Sequence, residues 1–204
     1  MRPVLVAITG GSGSGKSLLA AELAAAFKQN AARISQDDFY RDRSHLSPAR
    51  RAKLNFDRPT AIEWDLFEQT LRHCMERRRV PLPRYDFFAH ARRSSPRWLK
   101  PKALVIVEGL WLLRRPSLRK LFRLSVFIKC SAHTRLLRRL ARDQRSRGRT
   151  ASSVRRQFWA TVNPMHARFV APQARWAEIV LSERWGKSDV AMLHERLKLL
   201  KPNA

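Results

Sequence analysis

Gly10-Gly11-Ser12-Gly13-Ser14-Gly15-Lys16-Ser17 stands between a short apolar run, Pro3 to Thr9, and an Ala/Leu-rich stretch that reaches about Phe27. It matches G-x-x-x-x-G-K-[ST], and it has the context that pattern requires, a strand before and a helix after. Leu19, Leu23 and Phe27 repeat at four-residue spacing, one face of a helix. Such glycines let backbone amides turn inward around a polyphosphate, and the helix N-terminus adds partial positive charge. Lys16 would reach the β- and γ-phosphates and Ser17 would ligate Mg²⁺. A merely glycine-rich turn would need neither flanking element.

The remainder of the chain repeats the order strand, then helix. Ala32 to Ser35 reads as a second strand ending at Gln36-Asp37-Asp38. Ala103 to Val107 reads as a fully buried strand with Glu108-Gly109 at its edge, Leu124 to Lys129 as another, and Glu178 to Leu181 as the last. Thr60-Ala61-Ile62-Glu63 has the form of a capping box, opening a helix with Trp64, Phe67, Leu71 and Met75 inward that Pro81 and Pro83 stop. Arg41 to Lys53 reads as a loop or weak helix, and Pro83 to Pro101 as an irregular hairpin or loop. Ser131 is placed to cap the helix that follows it. Val154, Phe158, Val162, Met165 and Phe169 continue at helical period, with Pro164 expected to kink or break the run. Ser188 would cap a final helix with Val190, Leu193, Leu197 and Leu200 inward. No repeat or linker divides the chain, so residues 1–204 are read as one α/β domain with a central parallel sheet and ligands at the strand C-terminal ends.

Charge bears on the ligand. The 204 residues hold 42 Lys+Arg against 16 Asp+Glu, a net charge of +26, yet 44% hydrophobic content is enough to bury a core and excludes a disordered or fibrous chain. A pI near 11.7 suits a nucleic-acid binder or an enzyme of polyphosphate substrates. Arg135 to Arg156 contains nine arginines with Asp143 as the only acid, a solvated basic face from which a few arginines could cover a phosphoryl transfer. Cys74 and Cys130 have no metal or disulfide spacing. Lys16 interrupts the N-terminal apolar run and Glu108 the Ala103–Leu113 stretch, so a cytoplasmic protein without a membrane partner is expected.

Acids are scarce enough for their positions to matter. Asp37 ends the second strand on the sheet edge of the glycine loop, where a carboxylate can orient an acceptor hydroxyl, take its proton and hold a Mg²⁺-bound water; a surface or capping acid is the alternative. Glu108 closes a buried strand, where a metal shell or an arginine would compensate its burial. Asp57, between an aromatic and a proline, could accept two hydroxyl bonds or simply form a turn.

Several separate segments, from the loop to about Val180, resemble the uridine kinase (uridine-cytidine kinase) family of P-loop kinases. Ile34-Ser35-Gln36-Asp37-Asp38-Phe39-Tyr40 resembles S-Q-D-S-F-Y, Asn55-Phe56-Asp57-Arg58-Pro59 resembles N-F-D-H-P, and Tyr85-Asp86-Phe87-Phe88-Ala89-His90 resembles Y-D-F-x-x-H. Glu108-Gly109 is similar to the family's E-G, Arg142-Asp143 with Arg147-Gly148-Arg149 to its R-D…R-G-R, and Asn163-Pro164-Met165-His166 to a bacterial x-P-M-H segment read as structural. The resemblance implies a P-loop NTPase-type three-layer fold with a β-hairpin nucleoside-binding insertion at about 80–101 and a helical, arginine-rich lid at about 135–170. It implies Asp37 as general base, assisted by Lys16 and Arg142, and ATP held by Gly10 to Ser17 with Arg139 and Arg147. Tyr40, Phe56, Asp57, Tyr85, Phe87, His90, Arg149 and Gln157 would bind the nucleoside, and Ser17, Asp37 and Glu108 would hold Mg²⁺.

The expected activity is therefore transfer of the ATP γ-phosphoryl group to the 5′-hydroxyl of uridine and cytidine, in pyrimidine salvage, by a homo-oligomer that the resemblance makes a homotetramer. Gln36-Asp37-Asp38-Phe39 also looks like nicotinamide riboside kinases, which leaves a related small-molecule kinase as the alternative. A basic P-loop protein that binds nucleic acid is the alternative of another class; it would not need Asp37, Asp57 and Glu108 at one sheet edge. His45, His73, His133, His166 and His194 are assigned nothing.

Overall fold

In the computed structural model, which describes residues 2–52 and 54–200, the apolar runs become the strands of a five-stranded, all-parallel sheet in the order Ala31–Ser35, Leu104–Gly109, Val4–Gly10, Leu124–Ile128 and Ile179–Leu181. In chain order the elements are β1 (Val4–Gly10), α1 (Lys16–Ala26), β2 (Ala31–Ser35), α2 (Pro48–Ala52), α3 (Trp64–Met75), β3 (Val80–Leu82), β4 (Tyr85–Asp86), β5 (Ala91–Arg92), β6 (Arg97–Leu99), β7 (Leu104–Gly109), α4 (Pro116–Arg119) and β8 (Leu124–Ile128). There follow α5 (Ala132–Arg147), α6 (Ala151–Gln157), α7 (Asn163–Met165), β9 (Ile179–Leu181) and α8 (Lys187–Leu199).

Alternation along the strands builds two cores. Leu5, Ala7, Val105 and Val107 face Phe67 and Leu71 of α3, Leu118 of α4 and Val170. Val6, Ile8, Ile106 and Val126 face Leu19 and Leu23 of α1 and Leu193 and Leu197 of α8. Buried on both faces, the sheet needs continuous apolar strands, and its polar groups are left to the C-terminal edge. Pro83 to Pro101 falls in a region of paired ribbons, β3 with β6 and β4 with β5. No helix of the described residues is long and apolar enough to cross a membrane.

Four local expectations are corrected. Thr60–Glu63 is not a capping box: Pro59–Ala61 is a 3-10 turn, α3 starts at Trp64, and the Glu63 carboxylate is taken by Arg92 at 2.9 Å. Pro81 and Pro83 do not stop α3, which ends at Met75 with Arg77 in the left-handed region at φ 61°. Pro164 does not break its helix. Widened π turns at Phe158–Val162 and His166–Val170 flank α7, and the Asn163 amide bonds the Phe158 carbonyl five residues back, so the run absorbs a residue without an N–H. Ser188 lies inside α8, whose first turn is closed by Asp189 accepting from the Gly186 amide at 2.9 Å. Ser131 does cap α5, accepting from the Thr134 amide. In the Arg41–Lys53 stretch the structure has α2, while Lys53 lies outside the described residues.

Candidate active site

Sheet register assembles the phosphate end of the site. Gly10 ends β1, and the loop turns into α1 through Gly13 and Gly15 at φ 82° and 98°, conformations that favour glycine. A Cβ on Gly13 would also sit 2.5 Å from the Arg135 carbonyl oxygen. Beside β1, Glu108 of β7 is paired with Ile8 on one side and Ser35 of β2 on the other. Its carboxylate accepts from Ser17 Oγ at 3.1 Å and Ser35 Oγ at 2.7 Å, and lies 3.9 Å from Lys16 Nζ. Ser35 Oγ also accepts from the Asp37 amide at 3.3 Å, which sets the turn that carries Asp37. Nothing in the sequence reading singled out Ser35 for this junction.

One cavity of about 710 Å³ runs from Ser12 and Lys16 past Asp37 to the hairpin. All eight residues expected at the acceptor line it: Tyr40, Phe56, Asp57, Tyr85, Phe87, His90, Arg149 and Gln157. Arg139, Arg142 and Arg147 line it as well, whereas Ser17 and Glu108 do not. The aromatic end is a box in which Tyr40 and Tyr85 rings are 5.1 Å apart and His90 stacks on Phe56 at 4.7 Å and 9°. Burial, then Arg147, Arg149 and Arg51, lowers the pKa of His90, so a neutral imidazole faces the cavity at neutral pH. Burial pushes the Tyr85 phenol up to about 12, leaving it a neutral donor. Asp57 is held in an Asx turn by Asn55 and accepts from Thr161 Oγ at 3.2 Å; burial raises its pKa against the opposing pull of Arg139. Asp37 Oδ1, Tyr85 Oη and His90 Nδ1 are buried polar atoms without a partner among the described residues, which leaves them free to bond a ligand in the cavity.

Seven of the nine arginines of the bank fall into two populations. Arg145, Arg155 and Arg156 are exposed, as a solvated face requires. Arg142, Arg139, Arg147 and Arg149 converge on Asp143, which is fully buried, at 2.8, 3.4, 3.6 and 4.0 Å. Gly148, at φ 60°, ends α5 and turns Arg149 back over the same carboxylate. Arg139 donates to Ser12 Oγ at 2.9 Å and to Gln157 at 2.8 Å, and Arg149 bonds that same Gln157 oxygen, so loop, lid helices and cavity share one network. The lone acid in a run of arginines was a signal for Asp143, but only the fold shows four of them sharing it.

His166, assigned nothing from the sequence, packs on the phosphate loop: a Cβ on Gly11 would be 2.7 Å from its Nδ1. The x-P-M-H stretch thus reaches the site. Burial, with Arg135 adding, holds the His166 pKa down to about 4. Between that value and the unfolded value of about 6.5 the unfolded chain binds a proton the native state lacks, so stability falls as pH drops, by about 3 kcal/mol in all. Urea unfolding of wild type and His166→Phe from pH 7 to 4 should show a shallower loss in the variant; parallel curves would remove His166 as the source.

Ser17 Oγ and the carboxylates of Asp37 and Glu108 are hard oxygen donors of the kind that suits Mg²⁺, an ion that keeps several waters and needs few protein ligands. No cluster of three or more His, Cys, Asp or Glu able to hold a metal occurs among the described residues.

The phosphoribulokinase/uridine kinase family model matches residues 5–191. A protein named uridine kinase from Clostridium novyi is 38% identical over 193 residues, 94% of this chain and 92% of that protein. One of the same name from Clostridium botulinum is 39% identical over 183 residues, 89% of each chain. The solved structure of phosphoribulokinase from Rhodobacter spheroides aligns with a TM-score of 0.66 at 18% identity, over 89% of this chain and 70% of that one, a likeness of fold.

Proposed function

Because the chain belongs to the phosphoribulokinase/uridine kinase family, a family of ATP-using kinases, we propose that it transfers the γ-phosphoryl group of ATP to the 5′-hydroxyl of uridine and cytidine, a salvage reaction of the cytoplasm. The observation that carries this reading is the single cavity that joins Lys16 and Ser12 to the box of Tyr85, Phe56 and His90 with Asp37 between them. Its polar groups suit a ribonucleoside: Asp57 for the ribose hydroxyls, and neutral His90 and Tyr85 for the edge of a pyrimidine.

In this mechanism the loop amides and Lys16 hold the triphosphate, and Ser17, Asp37 and Glu108 are the residues that would hold Mg²⁺. When bound, the metal neutralises charge on the β- and γ-phosphate oxygens. Asp37 orients the 5′-hydroxyl towards the γ-phosphoryl group and accepts its proton. Arg139, Arg142 and Arg147 stabilise the charge spread over the transferred group, and Arg149 with Gln157 holds the ribose. The 80–101 ribbons act as the acceptor-binding insertion and 135–170 as the lid that excludes water, the competing acceptor.

ADP release with Mg²⁺-ATP across uridine, cytidine, their deoxy forms and nicotinamide riboside tests the reading. Turnover with uridine and cytidine is expected. Turnover with nicotinamide riboside alone would overturn the acceptor assignment, and steeply salt-dependent RNA binding without nucleoside-stimulated turnover would overturn the kinase itself.

A further inference from the structure

Arg135 is 2% exposed and is among the largest fully buried side chains of the protein. Its neighbours on the same helix share Asp143, but no carboxylate comes within ion-pair distance of Arg135 among the described residues. Nη2 donates to the neutral Asn163 Oδ1 at 2.7 Å, Nε and Nη1 have no partner among the described residues, and the guanidinium lies 5.3 Å from the centre of the Phe158 ring. The titratable neighbours leave the charge uncancelled: the His166 pKa is near 4 and the Cys130 thiol is pushed up to about 11, so both are neutral at pH 7. The side-chain stem and backbone press against the phosphate loop, 2.8 Å from where a Gly11 Cβ would be and 2.5 Å from where a Gly13 Cβ would be.

A buried cation without a counter-ion is costly, and an apolar side chain of the same length would pack there at lower cost. A position that served only to buttress the loop would not need the charge. We propose that Arg135 is a binding residue of the donor site: a fixed positive charge set behind the glycine loop, for which the polyphosphate on the loop's amide face is the counter-charge. Shielded from solvent, it attracts phosphate through a medium that salt hardly screens, unlike the partly exposed Arg142, Arg147 and Arg149. The inference rests on the reading of the loop as the donor site.

The test compares wild type, Arg135→Met and Arg135→Lys by MgADP titration calorimetry at low and high salt, and by thermal unfolding without nucleotide. Arg135→Met should bind MgADP about 10- to 100-fold more weakly, with the deficit persisting at high salt, and should melt at a higher temperature than wild type because an uncompensated charge is gone. Arg135→Lys should keep most of the affinity. Unchanged affinity in Arg135→Met, equal losses in both variants, or an Arg135→Met protein that melts lower or does not fold would overturn the inference and leave the donor reading intact. Failure of the wild type to bind MgADP would overturn both.

Discussion

Asp37→Asn lowers kcat for nucleoside phosphorylation by roughly 10²- to 10⁴-fold, the range a positioned general base contributes. Asparagine keeps the size of the side chain and an oxygen that can accept the acceptor hydroxyl's hydrogen bond, but it cannot take the proton. The turn survives, because Ser35 Oγ receives the backbone amide of residue 37 and not its side chain. MgADP affinity should stay within a few-fold of wild type, since Lys16 and the loop amides hold the phosphates and Ser17 and Glu108 remain to hold Mg²⁺. Steady-state kinetics with uridine, combined with MgADP titration, separates the two; a variant that retains most of its kcat would remove Asp37 from the role of base.

Asp143→Asn has the second largest expected effect, and it acts on the fold as well as on the reaction. The substitution leaves Arg139, Arg142, Arg147 and Arg149 around a neutral amide, and Arg139 is itself buried. Removing one partner of a buried ion pair costs about 3–5 kcal/mol, and the lower figure applies because the other three guanidiniums can turn towards water. For a chain of this size that lowers Tm by about 10 °C. The arginines would also lose their common anchor at the cavity rim, so kcat falls even where the protein is still folded. Urea unfolding and kinetics below the melting range check both parts; a stability change under about 1 kcal/mol would show that the four arginines do not depend on this carboxylate.

The phosphate loop, the parallel sheet and the residues gathered in the cavity were legible in the sequence because each rests on a local pattern: glycine spacing, continuous apolar strands, or a short motif. Tyr85 and His90 sit five residues apart and share one ribbon, so recognising the segment recognised the pair. Where an expectation failed, a longer-range contact had overridden a local preference. Glu63 could have capped its own helix, but Arg92, from a distant strand, competes for its carboxylate. Pro164 was expected to kink or break the run, but widened turns on both sides let it continue along the site without a break.

Ser35, Arg135 and His166 were not legible as functional positions, because nothing near them in the chain says what they touch; Asp143 stood out as the lone acid of its run, but nothing there showed that four arginines share it. Ser35 matters only through register with Glu108, 73 residues away, and His166 only because its helix lies across Gly11. The sequence by itself determined the chemistry available: a loop for phosphate, a carboxylate at Asp37, a set of polar and aromatic groups, and a surplus of arginine. The tertiary structure alone decided which of those arginines are held by one carboxylate, which face solvent, and which is buried without a counter-charge. Charge can be counted along a chain, but its energy depends on burial and on partners within a few ångströms, and these exist only once the strands and helices are packed.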